Sequence, residues 1–310
     1  PDRCTSTYTV YPNGLYTSPS HHAAHHHSFE IYNAILSIHQ MLENSDLCYT
    51  FDNGKLFHLV KEQCKVEHPC YADVNWILAQ MMSGSSSTLR FHCEPTVNVT
   101  MQSFGVCFIP FPRLHFLALS HAPFFDKVNY KYNQNVSSII HNLAEKNEAA
   151  GIDLKGSKML NVAFAYRGNH EDAIGAMDDF ALSYQTVHAD DFVQWIPSIN
   201  VQSAFVFDGD NFFYKKYAPI VSTAVISTCS IKQVFERASK EFAKVYKRKA
   251  YLRWYKGEGM DEMEFQEADQ NVRDLVTEYQ DKHEAVVDYD DEEDYDDEEE
   301  EEGLHTPHTP

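Results

Sequence analysis

The sequence predicts an α/β fold that ends in a helical layer and an acidic tail. Two observations support this fold class. Segments rich in β-branched and aromatic residues alternate with segments of helical periodicity, and two amphipathic stripes follow the last of them. With 310 residues, 43% of them hydrophobic, the chain can bury a large core, and we expect two domains rather than one.

Five segments have the composition of β-strands, with many β-branched and aromatic residues. They are "FGVCFIPF" (104–111), "RLHFLAL" (113–119), "MLNVAFAYRG" (159–168), "SAFVF" (203–207) and "VSTAVIS" (221–227). Helical segments between and before them predict layers of helices around a sheet.

Helical periodicity is found in three stretches, at about 28–43, 136–148 and 170–185. A further helix is predicted for "YADVNWILAQMM" (71–82), with Tyr71, Val74, Leu78 and Met81 on one face. We expect this helix to be mostly buried. The next residues, "SGSSST", are typical of a loop.

A helical hairpin is predicted near the C-terminal end. Apolar residues recur at three- and four-residue spacing over 231–255, which indicates one amphipathic helix, and Gly257 and Gly259 then break it. Asp261 is expected to cap a second helix, with Glu264 at its third position. The second apolar stripe consists of Phe265, Ala268, Val272, Leu275, Val276 and Tyr279. Basic residues before the break and carboxylates after it both oppose the helix dipoles.

The acidity of the chain is concentrated in its tail. The formal net charge is −21, and residues 288–302 carry 13 carboxylates in 15 positions, which leaves about −8 for the rest. Because such a run repels itself and cannot bury apolar surface, we expect residues 282–310 to be disordered. The tail serves either solubility alone or the recruitment of cationic partners.

The seven cysteines form no CxxC pair, so we expect reduced thiols in a cytosolic protein. No run of about 18 apolar residues exists, and the first residues do not resemble a secretory signal. We therefore expect neither a membrane partner nor a nucleic-acid partner.

The sequence contains few candidates for chemistry. The run "HHAAHHH" (21–27) could bind a transition metal, but a loop offers no fixed geometry, and we predict no metal site. No glycine-rich phosphate loop, nucleophile elbow or HExxH motif is present, so the residues alone indicate no enzyme.

One set of residues suggests a site for a purine base. Tyr71 and Asn75 lie four residues apart on one predicted helix, and Asn53 lies in the turn-like "FDNG". An aromatic ring can stack on a purine while amides bond to its edge. The same residues could equally be capping and core residues.

Longer motifs resemble the tubulin family, and β-tubulins in particular. They run in the expected order from "PDR" at the start to "RKAYLRWYKGEGMDEMEFQEADQNVRDLVTEYQD" (248–281), with the acidic tail after it. Between them lie "YNAILSIHQMLENSD" (32–46), "MSGSSSTLRF" (82–91), "PFPRLHF" (110–116), "YRG" (166–168) and "FVQWIP" (192–197). The resemblance implies that the helix continues through "SGSSST".

The resemblance also implies a division into parts. Residues 1–70 are similar to the last part of a Rossmann-like GTPase domain, and 71–91 to the central core helix of tubulins. Residues 92–227 are similar to the α/β intermediate domain, 228–281 to the C-terminal helical domain, and 282–310 to the tail.

A guanine-nucleotide site is implied at matching positions. Asn53 and Asn75 match the amides that read the base, Tyr71 the stacking ring, and Glu30 the carboxylate that contacts the ribose. The implied cofactor is GTP. The phosphate loop of tubulins precedes the segment that matches Pro1, so we expect it, and any Mg²⁺ site, in a part outside this sequence.

A catalytic carboxylate is not implied. In α-tubulins a glutamate lies seven residues before the "P-[FY]-P-R" motif, and Ser103 occupies that position here. Whether the protein is a GTPase is therefore left open, and no catalytic residue is assigned.

The function implied is that of a cytoskeletal constituent in the cytoplasm: a GTP-dependent microtubule subunit of β type that pairs with α-tubulin. Motor and microtubule-associated proteins would bind the C-terminal helices and tail. The alternative is a non-polymerising tubulin-like protein whose acidic tail recruits basic partners.

Overall fold

A computed structural model describes residues 3–12, 28–94, 99–124, 143, 148–168, 170–196, 201–207 and 220–285. The helices are α1 (Ser28–Asn44), α2 (Asn53–Gln63), α3 (Tyr71–Ser85), α4 (Ser87–Arg90), α5 (Met101–Phe108), α6 (His170–Val187), α7 (Lys232–Tyr246), α8 (Leu252–Gly257) and α9 (Glu262–Glu284). The strands are β1 (Ser6–Tyr11), β2 (Leu47–Asp52), β3 (His92–Glu94), β4 (Phe116–Ala122), β5 (Met159–Gly168), β6 (Val201–Phe207) and β7 (Ile220–Thr228). The α/β fold class is confirmed.

The seven strands form one mixed sheet in the order β1-β2-β4-β7-β5-β6-β3. Strands β1, β2 and β4 run parallel, whereas β7 is antiparallel to both β4 and β5. The pairing of β2 with β4 joins the predicted GTPase part to the predicted intermediate part, at Cys48 opposite Phe116. The domain division itself stays a prediction.

Helices cover both faces of the sheet. On β4, Phe116 and Ala118 belong to one core cluster, while Leu117 and Leu119, which alternate with them, belong to another. The first cluster packs beneath α1, α7 and α9, and the second beneath α2 and α3. This two-sided burial explains why β2 and β7 are buried along their whole length.

Most predicted elements are confirmed. Strands were expected in the regions of β4, β5, β6 and β7, and helices in those of α1 and α6, and each is present. The buried stripes of the C-terminal helices are also present, since Phe235 and Val272 have no exposed surface. The predicted helix at 136–148 falls largely outside the described residues, and the histidine run lies wholly outside them. The tail was predicted to be disordered from residue 282, but α9 extends to Glu284, so that boundary is wrong; the residues after Ala285 lie outside the described ranges.

One predicted strand, 104–111, is wrong. Residues Met101–Phe108 form the helix α5, because Thr100 caps it. The Thr100 hydroxyl accepts the Ser103 backbone N–H at 3.1 Å, and the Ser103 hydroxyl accepts the Thr100 backbone N–H at 3.0 Å. A short apolar run has too little periodicity to distinguish a helix from a strand.

The loop prediction at "SGSSST" is wrong, because the chain is helical to Ser85 and again from Ser87, so that only Ser86 interrupts the continued helix implied by the resemblance. The hydroxyls of Ser85, Ser86 and Ser87 donate to carbonyls three or four residues earlier, so these polar side chains are satisfied within the helical segment. Gly84 allows α3 to approach β7 closely, since a Cβ there would lie 1.9 Å from the Thr223 Oγ1.

The single helix predicted over 231–255 is also wrong. Helix α7 ends at Tyr246 and a separate helix, α8, begins at Leu252, because Lys249 and Tyr251 between them adopt positive φ angles of 48° and 60°. The bend lets the Tyr32 hydroxyl donate to the Ala250 carbonyl at 2.8 Å and buries Leu252 in the core.

Candidate functional site

The predicted purine site begins where β2 ends. Asp52 is the last residue of β2 and the N-cap of α2, and its Oδ1 accepts the Lys55 backbone N–H at 2.9 Å. This capping places Asn53 at the first position of α2, beyond the carboxyl end of a parallel strand. That edge is where α/β sheets hold their ligands.

Tyr71 occupies the start of α3. The Asp73 carboxylate caps this helix by accepting the Cys70 backbone N–H at 3.0 Å. The Tyr71 ring is 63% exposed, so its inclusion in the buried face was wrong. Its position suits a stacking ring, because one edge is supported while a face is accessible to a ligand.

The two helices are joined at this point by an aromatic pair. The rings of Phe57 and Tyr71 lie 5.2 Å apart at 75°, in edge-to-face contact. Asn53 lies one turn before Phe57 on α2, and Asn75 lies one turn after Tyr71 on α3, where its side chain is exposed. The structure therefore places these three predicted residues on one pair of packed helices. Phe57 was missed by sequence reasoning, although its four-residue spacing from Asn53 is a usable signal.

Glu30 is not placed in contact with them. It lies in the first turn of α1, which packs on the opposite face of the sheet. The end of α1 contacts the start of β1, where the Thr5 hydroxyl approaches the Asn44 carbonyl at 3.4 Å, so α1 runs back along the strand. The first turn of α1 therefore lies near the carboxyl end of β1. Asn53 follows the carboxyl end of β2, and the two strand ends are neighbours because Tyr11 and Asp52 are in register.

Two buried carboxyl groups support this edge. Asp52 has no exposed surface, and burial raises its pKa to about 6. Glu148 is 4% exposed, and burial raises its pKa to about 7, with the Asp52 charge adding to the rise. The Asp52 backbone N–H donates to the Ala149 carbonyl at 2.9 Å, which brings the two acids together. Nothing in the local sequence signals the role of Glu148.

The remaining described candidates have structural contacts. The Ser103 hydroxyl donates to the Thr100 carbonyl at 2.9 Å and serves the cap of α5. Among the described residues, no three His, Cys, Asp or Glu side chains are placed to hold a metal ion. None of the seven cysteines is in a disulfide in the structure. No helix in the described ranges is long and apolar enough to cross a membrane.

The C-terminal hairpin presents a charged turn. Asp261 and Glu264 form the predicted capping box of α9, which is confirmed. Glu262 accepts from both Lys249 and Lys256 at 2.6 Å, so direct ion pairs join the basic side of the turn to its acidic side. Beside them Trp254 is 68% exposed.

These features define an α/β protein with amide and aromatic side chains at the carboxyl edge of parallel strands. Comparison with curated proteins finds similarity to a tubulin beta-2 chain of Hypocrea virens, 33% identical over 294 residues. The match covers 94% of this chain and 62% of that protein, and no protein-family model matches. This similarity supports a divergent, β-tubulin-like protein of the tubulin family.

Proposed function

We propose that this chain is part of a GTP-dependent microtubule subunit of β-tubulin type that pairs with α-tubulin in the cytoplasm. The observation that carries the proposal is the arrangement of Asn53, Tyr71 and Asn75 on the packed helices α2 and α3. It supplies one stacking surface and two amides at the sheet edge where nucleotides bind in α/β folds.

The residues suit a guanine base in particular. An amide carries both a donor and an acceptor, and so does the edge of guanine, so Asn53 and Asn75 can bond to it in matched pairs. The exposed Tyr71 ring offers its face for stacking while Phe57 fixes its edge. Glu30 would accept from a ribose hydroxyl at the same edge of the sheet.

The base site alone does not hold the triphosphate. Each neutral hydrogen bond contributes roughly 0.5–1.5 kcal/mol net, whereas binding costs several kcal/mol of translational and rotational freedom. In phosphate-binding folds, backbone N–H groups of a glycine-rich loop meet the phosphate charge, and these 310 residues contain no such loop. We expect the 310-residue polypeptide to bind GTP with millimolar affinity or weaker.

Two surfaces would serve its protein partners. The segment that resembles "PFPRLHF" of tubulins is fixed by an ion pair between Arg113 and Glu278 of α9, 3.1 Å apart, and would contribute to contacts between subunits. The charged turn with Trp254, together with the acidic tail, would meet motor and microtubule-associated proteins. Neither surface requires a nucleic acid or a membrane.

Saturation-transfer NMR tests the nucleotide site, because it detects millimolar ligands. We expect base-proton signals for GTP that exceed those for ATP and that Tyr71→Ala abolishes. Tyr251→Ala is the matched control, since Tyr251 is 51% exposed but lies in the hairpin turn. Equal signals for the two nucleotides, or signals unchanged by Tyr71→Ala, would overturn the proposed site. Micromolar binding would show that other residues hold the phosphates.

A further inference from the structure

A small cationic cavity lies far from the proposed base site on α2 and α3. It adjoins the first residues of β5 and the last residues of β7. It has a volume of about 160 Å³, and three elements meet there: the 153–158 loop, the first turn of α7 and the last turn of α9. Lys155, Lys232 and His283 each line it, one from each element. No carboxylate is among the lining residues, although the chain as a whole carries a net charge of −21.

Polar groups that suit an oxyanion surround this space. Ser157, Ser230 and Gln233 complete the polar part of the lining. The cavity adjoins the start of α7, where a 3-10 turn (Cys229–Ile231) leads directly into the helix and its carbonyls accept the Lys232 backbone N–H.

Burial and a hydrogen bond both favour the neutral form of the His283 imidazole. Its Nδ1 accepts the Lys158 backbone N–H at 3.4 Å, so Nε2 carries the proton. Burial, then Lys232 and Lys158, lower the pKa of His283, while Glu284 opposes them. The Asp153 Oδ1 accepts the backbone N–H of Lys155 and lies outside the lining. Three cationic or potentially cationic side chains thus line one cavity whose lining contains no carboxylate.

We propose that this cavity binds a single oxyanion, a phosphate or a carboxylate group. Lys155 and Lys232 would each donate a charge-assisted hydrogen bond, and the Nε2–H of His283 would donate a third hydrogen bond. Lys232 already donates to the Gln280 side chain and keeps two further N–H donors. Because the bound anion favours the imidazolium, affinity rises as the pH falls below the ordinary range of histidine.

Two sources could supply the oxyanion. One is free phosphate or a phosphate monoester. The other is the carboxylate run at 288–302, whose first acid is four residues beyond the end of α9 at Glu284. Four extended residues reach about 14 Å at most, which is enough to return to a cavity lined by His283.

Titration with inorganic phosphate at about pH 6, followed by calorimetry and by the NMR signal of His283, tests the site. We expect saturable millimolar binding that raises the pKa of His283. Lys155→Gln and Lys232→Gln should each weaken it about tenfold, as expected for one charge-assisted hydrogen bond. Lys240→Gln, on the exposed face of α7, is the matched control and should change nothing. A cation-to-amide change at the start of α7 does not harm the helix, because the dipole disfavours a cation there.

A full-length variant with the 13 tail carboxylates converted to amides separates the sources. If the tail occupies the cavity, this variant binds phosphate more tightly and its unliganded His283 titrates at lower pH. If free phosphate is the ligand, both quantities stay as in the unchanged chain. Absence of saturable binding in both chains, or binding that the two lysine variants leave unaltered, would overturn the proposal.

Discussion

Gly84→Ala and Gly105→Ala make the same chemical change on two helices, and we expect opposite effects on stability. Gly84 lies in α3, which carries the proposed base site, and a Cβ there would lie 1.9 Å from the Thr223 Oγ1 and 2.9 Å from its Cβ. Thr223 is 2% exposed and its hydroxyl bonds to the His121 Nδ1 at 2.8 Å. The side chain cannot rotate away without breaking that buried hydrogen bond.

The magnitude follows from three contributions. Overpacking costs about 1–3 kcal/mol, a broken buried hydrogen bond costs about 1–3 kcal/mol, and alanine returns up to about 1 kcal/mol of helix propensity. Gly84→Ala should therefore lower the free energy of unfolding by about 2–4 kcal/mol. At Gly105 in α5, a Cβ would meet nothing within 4 Å, so the same change should raise it by about 0.5–1 kcal/mol.

Urea unfolding of the two variants and the unchanged chain, followed by circular dichroism, measures both effects. Because Gly84 sets the distance between α3 and the sheet, Gly84→Ala should also weaken the GTP signal that depends on Tyr71, whereas Gly105→Ala should not. Equal stability changes of the same sign at the two positions would refute the close approach of α3 to β7.

Two further predictions concern a buried acid and the tail. Burial raises the pKa of Glu148 to about 7 from an ordinary 4.5, so the folded chain binds the extra proton and loses about 3 kcal/mol of stability as the pH rises through that window. Glu148→Gln should reduce this loss, most of all above about pH 6, because the raised pKa of Asp52, about 6, accounts for a separate loss at lower pH. Exposed Glu236→Gln should not reduce it, and a flat profile in the unchanged chain would contradict the burial. Removal of the residues after Ala285 should leave the melting temperature nearly unchanged. It should weaken binding to basic proteins, because the tail carboxylates attract cationic surfaces. This attraction is sensitive to salt, since charges are screened beyond about 8 Å at physiological salt. A large drop in melting temperature would show that the tail packs on the body.

The sequence predicts best those elements whose patterns are long. Strand β5 was predicted at its observed bounds, since ten residues bear one continuous β-rich pattern. The prediction of a strand at 104–111 was wrong because Thr100 and Ser103, which precede the apolar run, form the capping box that begins a helix there. The break at Lys249 and Tyr251 has no glycine to announce it, and the burial of Leu252 on the far side determines it instead.

The candidate site was predictable only in part. Asn53, Tyr71 and Asn75 came from spacing and resemblance, and the structure adds the Phe57 contact that joins their helices. Glu148 could not be found, because its partner Asp52 is almost a hundred residues away and only the fold brings them together. Lys155, Lys232 and His283 likewise meet only through tertiary packing.

Co-sedimentation with polymer assembled from purified tubulin tests the proposed role most directly. The protein, expressed from its own gene and detected through its acidic C-terminal segment, is mixed with purified tubulin and GTP, and polymer is pelleted. A β-type subunit should enter the pellet in proportion to polymer, should require GTP, and should be released when the polymer is dissolved. A protein that stays in the supernatant at every polymer concentration would contradict the account and would favour the non-polymerising binding protein.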